Sequence, residues 1–232
     1  MVISMKIRIK RQDEPEAAPY WQTFDYSGKG RKTVAGILDE VNYRDDLIDE
    51  NGVPSRRIRW ECSCMQKMCG GCAMIINGIP ALACGEFMDT TKEELLVLEP
   101  LTKFPVVSDL ITDRSCILEH QKAALMYLGK KGAENEKEFA NRYSVAKCIK
   151  CGLCLEVCPN YVRGDGKFYG AVLANEAYLL YTSSEDRKKA IAKEYRKHFA
   201  AGCSKSLACR DICPMKLPTL SSIGYLNRTR LV

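Results

Sequence analysis

Thirteen cysteines occur in this chain of 232 residues, and their spacing constrains the fold more than any other feature. They fall mainly into three runs: Cys64-x4-Cys69-x2-Cys72-x11-Cys84, Cys148-x2-Cys151-x2-Cys154-x3-Cys158-Pro159, and Cys203-x5-Cys209-x3-Cys213-Pro214. A chain of this length buries a core without covalent staples. Thiols in such number are therefore expected to serve metal, and oxygen-sensitive metal centres with free thiols point to a reducing compartment.

The first run has the plant-type [2Fe–2S] spacing, in which a tight loop supplies three thiolates and a later strand the fourth. Gly70 and Gly71 suit a backbone that must approach inorganic sulfur closely. A zinc site would favour two C-x2-C pairs, and this run has one. Cys64, Cys69, Cys72 and Cys84 are the expected ligands, with Cys62 just outside the pattern.

The second run matches the bacterial ferredoxin motif, whose last cysteine ligates the other cluster of a pair. Laid on it, the third run aligns Cys203 with Cys148, Cys209 with Cys154 and Cys213 with Cys158, and sets Ser206 opposite Cys151. A serine hydroxyl is a poor ligand beside a thiolate. By the crossing rule, Cys148, Cys151, Cys154 and Cys213 hold a [4Fe–4S] cluster, and Cys158, Cys203 and Cys209 are left with a [3Fe–4S] cluster. The other reading is a four-iron cluster with Ser206 or water on its fourth iron. Cys116, set among Ile111, Ile117 and Leu118, reads as a buried reduced thiol.

The runs divide the chain in two, 1–105 mainly β and 106–232 helical. Met5-Lys-Ile-Arg-Ile-Lys alternates with a strand's period, and Tyr20 to Tyr26 follows the Asp13–Pro19 turn as its hairpin partner. Thr33 offers an N-cap to a helix with Val34, Ile37, Leu38 and Val41 on its apolar face. Ala73–Ile76 and Ile79–Ala83 flank Asn77-Gly78, the strongest short hairpin signal. Leu95-Leu-Val-Leu is expected to close this sheet around the helix. In the second half, 117–131 carries Ile117, Ala124, Leu125 and Leu128 on one helical face, and 170–181 carries Val172, Leu173, Ala177 and Leu180. Ser183 to Asp186 resembles a capping box opening a helix toward His198.

The formal net charge of +6 invites a nucleic-acid reading. That count treats cysteine as neutral, whereas metal-bound cysteines are thiolates. The basic residues are also scattered, so nucleic acid is not an expected partner. No stretch approaches the roughly 18–20 apolar residues of a membrane span, and Met1-Val-Ile-Ser-Met-Lys lacks the apolar core of a signal peptide. Gly28-Lys-Gly30 continues without a third glycine, and there is no P-loop. The two histidines, His120 and His198, are expected at the surface near helix ends. Nothing here assembles a site for an organic substrate, so the chemistry left is single-electron movement and no residue is assigned a catalytic role.

This order of motifs resembles the iron–sulfur subunit of succinate dehydrogenase and fumarate reductase, across essentially the whole chain. The resemblance implies an α+β fold, with a plant-ferredoxin-like β-grasp domain (1–105) followed by an α-helical bacterial-ferredoxin-like domain (106–232). It implies a flavoprotein partner interconverting succinate and fumarate at FAD, which this chain does not bind. It further implies a membrane-anchor subunit of the cytochrome b kind, a quinone, and a peripheral position on the cytoplasmic face of the membrane. Family members using ubiquinone commonly carry a tryptophan segment after the middle Cys-Pro and a histidine after the first cysteine of the last run. Here these positions hold Asn160-Tyr-Val-Arg163 and Ser204, a departure that points to a menaquinone-linked or otherwise diverged enzyme. Pro159, Asn160 and Ser204 are the candidates for the quinone-side wall.

Other readings are an iron–sulfur subunit serving a different flavoprotein (glycolate, glycerol-3-phosphate or a thiol-linked fumarate reductase), a diffusible ferredoxin-like carrier, and a structural metal protein. The first often adds cysteine-rich repeats, which are not present before Val232. The second calls for a short acidic chain.

Overall fold

A computed structural model describes residues 5–132 and 136–229, without the side chain of Lys137. Met1–Ser4, on which the signal-peptide expectation rested in part, and Val232 lie outside the described residues. The chain divides into two units between Asp113 and Arg114.

In the first unit, β1 (Met5–Arg11) pairs antiparallel with β2 (Tyr20–Tyr26), as the alternation predicts. Next come β3 (Arg31–Thr33) and α1 (Val34–Asn42), where the Thr33 side chain accepts from Gly36 N at 3.1 Å. A Ser/Thr cap of this kind contributes about 1 kcal/mol. Strands β4 (Ala73–Ile76) and β5 (Ile79–Leu82) flank Asn77 and Gly78, which take φ of 49° and 80°. Those two left-handed residues form the turn that matches strand twist. β6 (Phe87–Asp89) pairs with β3, and β7 (Leu95–Glu99) completes a sheet of order β2-β1-β7-β4-β5. β7 therefore lies in the middle of the sheet rather than closing its edge, parallel to β1 and antiparallel to β4. Ile7, Ile9, Phe24, Ile37, Leu38 and Leu96 are fully buried, so α1 and one face of the sheet supply the core. This is the β-grasp arrangement.

The last inward position of β1 is filled by an arginine. Arg11 is fully buried and its Nε donates to Asp109 Oδ1 at 2.9 Å, with Asp109 also fully buried. Asp109 sits at φ 48° between β8 (Val106–Ser108) and β9 (Ile111–Thr112). Its carboxylate also accepts from Arg56 at 2.7 and 2.8 Å and from the Arg59 amide at 2.9 Å. Arg11 in turn donates to the carbonyls of Arg56 and Arg57, both at 3.2 Å. The network ties the β8–β9 hairpin and the 55–59 segment to the sheet, which places the unit boundary after this hairpin.

The second unit is helical: α2 (Cys116–Ala123), α3 (Glu136–Ala146), α4 (Leu153–Glu156), α5 (Gly170–Ser183), α6 (Lys188–Tyr195), a π-helical turn at Arg196–Ala200, α7 (Ala208–Asp211) and α8 (Thr219–Arg228). α5 is central and packs against α2, α3, α4, α6 and α8. It starts at Gly170 (φ 69°), where a Cβ would stand 2.2 Å from Leu155 Cδ2 on α4. The predicted stripe on α5 is buried. The predicted helix over 117–131 ends early. Leu125 takes φ 52°, and the Met126 and Leu125 amides donate back to Gln121 and Lys122 at 2.9 and 3.0 Å. This is a Schellman ending, and it leaves Leu125 and Leu128 exposed. The capping-box reading also fails. Ser183 is the last residue of α5, Ser184 accepts from Gly129 N at 3.0 Å, and α6 follows Arg187 with no side-chain cap. Among the described residues no helix is long and apolar enough to cross a membrane.

Burial raises the pKa of the Asp109 carboxyl, but Arg11, Arg56 and the Arg59 amide outweigh it and hold the group below its ordinary value. A depressed folded value stabilises above the unfolded value near pH 4 and is lost as pH falls through the folded one. Asp109→Asn is therefore expected to cost roughly 3–5 kcal/mol at neutral pH by leaving Arg11 unpaired. In denaturant melts, the gap between parent and variant should shrink as pH is lowered. Equal midpoints at pH 7 would contradict the role given to the pair.

Candidate iron–sulfur sites

The first sulfur group is built by the β4–β5 hairpin and the irregular loop before it. Cys72 immediately precedes β4, and Cys84 follows β5 with Ala83 between. The Ala73↔Leu82 register and the Ala83 N to Cys72 O bond of 3.0 Å bring their sulfurs to 3.3 Å. A two-residue turn between four-residue strands thus explains the x11 spacing. Within the loop, Met65, Lys67 and Gly70 all take positive φ. Such residues turn successive amides to one side and form an anion-binding nest. Cys64 Sγ accepts from Gln66 and Met68 at 3.4 and 3.3 Å, Cys84 Sγ from Lys67 at 3.3 Å, and Cys69 Sγ from Gly71 at 3.5 Å. Cys62 is exposed, its thiol on Met65 Sδ at 3.1 Å.

The two later runs fold as a structural repeat, matching the sequence alignment position by position. Lys150 and Lys205 take φ of 51° and 59°, and Gly152 and Leu207 take 86° and 63°. Each pair precedes a short helix, α4 or α7. Behind these helices, Tyr161 N donates to Cys158 O at 3.2 Å as Lys216 N does to Cys213 O at 3.1 Å. One cavity is lined by Cys148, Cys151, Cys154 and Cys213, together with Cys209. A second, of about 200 Å³, is lined by Cys158, Cys203 and Cys209 with Ser204 and Ser206. Ser204 therefore meets the second cavity. Pro159 is exposed, Asn160 is half-buried, and neither is among the residues lining it.

Of the two histidines expected at the surface near helix ends, His120 is half-buried in the last turn of α2, and His198 departs from the expectation. His198 is buried, and Tyr169 stacks between His198 and His120 with ring centroids 4.1 and 4.0 Å apart. The π-helical turn at 196–200 carries His198 inward, an irregularity that side-chain periodicity does not announce. Cys116 is half-buried and 3.6 Å from the Tyr161 hydroxyl.

The electrostatics fit thiolates that need a metal. Amide hydrogen bonds from Gln66 and Met68 lower the Cys64 thiol to about 7. Burial pushes Cys72, Cys148 and Cys154 upward, and Cys151 to about 11. Buried sulfur in this environment stays protonated unless a cation compensates the charge, and cluster iron is such a cation.

Residues 6–119 match the 2Fe-2S iron-sulfur cluster binding domain family, and residues 144–217 match the 4Fe-4S dicluster domain family. The chain is 29% identical over 238 residues to a succinate dehydrogenase iron–sulfur subunit from Bacillus subtilis, covering 97% of this chain and 92% of that one. It is 26% identical to a fumarate reductase iron–sulfur subunit from Escherichia coli O157:H7, covering 95% and 90%. Over nearly its whole length the chain is thus similar to iron–sulfur subunits of succinate dehydrogenase and fumarate reductase. A chain in a solved structure of the Mycobacterium smegmatis Sdh1 complex has the same fold as this one, with a TM-score of 0.76 at 20% identity and coverage of 100% and 99%.

The cysteine spacing does not single out Lys150 and Asn175, which also line the first cavity. Lysines at matching positions of the two runs, Lys150 and Lys205, were the available signal. Because burial raises the Cys72, Cys148, Cys151 and Cys154 thiols, stripping iron from the chain with a chelator is expected to lower the melting temperature of the protein. An unchanged melt after complete iron removal would contradict a folding role for the clusters.

Proposed function

We propose that this chain is the electron-relay subunit of a succinate:quinone oxidoreductase. It passes single electrons between a flavoprotein, whose FAD interconverts succinate and fumarate, and a quinone. The observation that carries the reading is the folded repeat, with two cysteine-lined cavities and a serine at one of the ligand positions. The relatives' names support it over a different flavoprotein partner.

In this reading Cys64, Cys69, Cys72 and Cys84 hold [2Fe–2S]. Cys148, Cys151, Cys154 and Cys213 hold [4Fe–4S], and Cys158, Cys203 and Cys209 hold [3Fe–4S]. Bound in these places, the clusters supply one-electron carriage, which no amino-acid side chain here offers. The chain's own part is to deliver thiolates, aim amides at sulfur and keep water out. Ser204, with Pro159 and Asn160, is assigned to the quinone side, and the departures from the ubiquinone pattern favour menaquinone. The membrane anchor belongs to a partner of cytochrome b type, with this subunit peripheral on the cytoplasmic face.

Serine at Cys148, Cys151, Cys154 or Cys213 is expected to remove the four-iron signal from the spectrum of the reduced protein. Any one of these variants with all clusters intact would overturn the ligand assignment. Ser206→Cys is expected to gain iron at the three-iron site, and unchanged iron content would count against the alignment of the runs. Purification from the source cell should yield a partner polypeptide with FAD that succinate reduces. A stable flavoprotein partner indifferent to succinate and fumarate would replace this function with the alternative one.

A further inference from the structure

Of the residues lining the first cavity of the helical unit, cysteines aside, Lys150 alone carries a charge. It lies in the Cys148–Cys151 turn with left-handed backbone, and its ammonium donates to Glu176 Oε2 at 3.2 Å. Gln121 donates to the same oxygen at 3.3 Å. The lysine is two-thirds buried and Glu176 four-fifths buried, so the pair sits where solvent screens charge only partly.

The neighbour of Glu176 on α5 adds a second, independent observation. Asn175 is 4% exposed and lines the same cavity. Its Nδ2 lies 3.0 Å from Thr219 Oγ1, while its Oδ1 is buried with no hydrogen-bond partner. A carboxamide oxygen left bare against a wall of sulfur is unfavourable on both counts, since sulfur accepts hydrogen bonds and does not want an oxygen facing it. Exchanging the two ends of the amide satisfies everything. The Thr219 hydroxyl then donates to Oδ1, and the NH2 faces the cavity as a donor.

We infer that Asn175 and Lys150 set the reduction potential of the [4Fe–4S] cluster, Asn175 through a hydrogen bond to cluster sulfur and Lys150 through a charge that Glu176 partly cancels. The inference rests on the ligand reading given above. Reduction adds negative charge, and a donor or cation nearby favours it, whereas a carboxylate opposes it. α5 thus presents both controls from adjacent positions, one into the cavity and one onto the lysine. The repeat contains its own control: Lys205 occupies the matching position, lines the other cavity, is exposed, and has no ion-pair partner among the described residues.

The test is a redox titration of the assembled protein, following the spectrum of the reduced four-iron cluster by low-temperature electron paramagnetic resonance. Asn175→Leu and Lys150→Met should each shift its midpoint potential downward, Glu176→Gln should shift it upward, and Lys150→Arg should hold the parental value. Lys205→Met should leave it unmoved, and the [2Fe–2S] midpoint should be constant throughout. Four-iron midpoints unmoved by both Asn175→Leu and Lys150→Met, or shifted upward by them, would overturn the inference alone. A parent protein with no four-iron signal would overturn the ligand reading and this inference together. Should Asn175→Leu fail to assemble its cluster, the lysine and glutamate variants still decide, because their predicted shifts have opposite signs.

Discussion

A thiolate buried away from water is unfavourable unless a cation shares its site, and a cluster of inorganic sulfur needs donors around it that the chain supplies largely from its backbone. Both demands fall on short stretches of chain. The two units meet them with the same device, residues with positive φ placed between the cysteines. In the first unit Met65, Lys67 and Gly70 turn amides toward Cys64 and Cys84. In the second, Lys150 and Gly152 recur as Lys205 and Leu207. The sheet, the hairpin and the long central helix exist around these turns as their supports.

The supports differ in kind. The β-grasp unit secures the segment leading to its cysteine loop with a buried ion network, in which Asp109 meets Arg11, Arg56 and the Arg59 amide. Such a network is sensitive to removal of any one partner. The helical unit uses apolar packing instead, with α5 buried along much of its length and Gly170 admitting α4 at close range. Among its buried and half-buried polar groups, Asn175 and the Lys150–Glu176 pair lie at or beside the first cavity.

What was legible in the sequence follows from which interactions are local. The x11 spacing, the Asn77-Gly78 turn and the Thr33 cap each act within a dozen residues or so, and each was readable. The pairing of the two later runs was readable because ligand chemistry repeats with the backbone. The failures lie where distant groups decide. Leu125 ends α2 in a position usually given to glycine, so the stripe through Leu128 misled. Ser184 bonds to Gly129 rather than opening a helix. His198 is drawn against Tyr169 from a separate segment, and Arg11 is held at an inward strand position by a carboxylate 98 residues away.

In the proposed ligand set, one of three clusters lacks a fourth thiolate because Ser206 stands where Cys151 stands in the repeat. Oxidised [2Fe–2S] and [4Fe–4S] clusters are silent in electron paramagnetic resonance, whereas an oxidised [3Fe–4S] cluster is paramagnetic. The most direct measurement is a low-temperature spectrum of the oxidised protein as purified, with iron and sulfide analysis on the same sample. A near-isotropic three-iron signal and about nine irons per chain are expected, the content of one [2Fe–2S], one [4Fe–4S] and one [3Fe–4S] cluster. A fully loaded but silent sample would mean that Ser206 or water completes a fourth iron site, and would contradict the three-iron assignment.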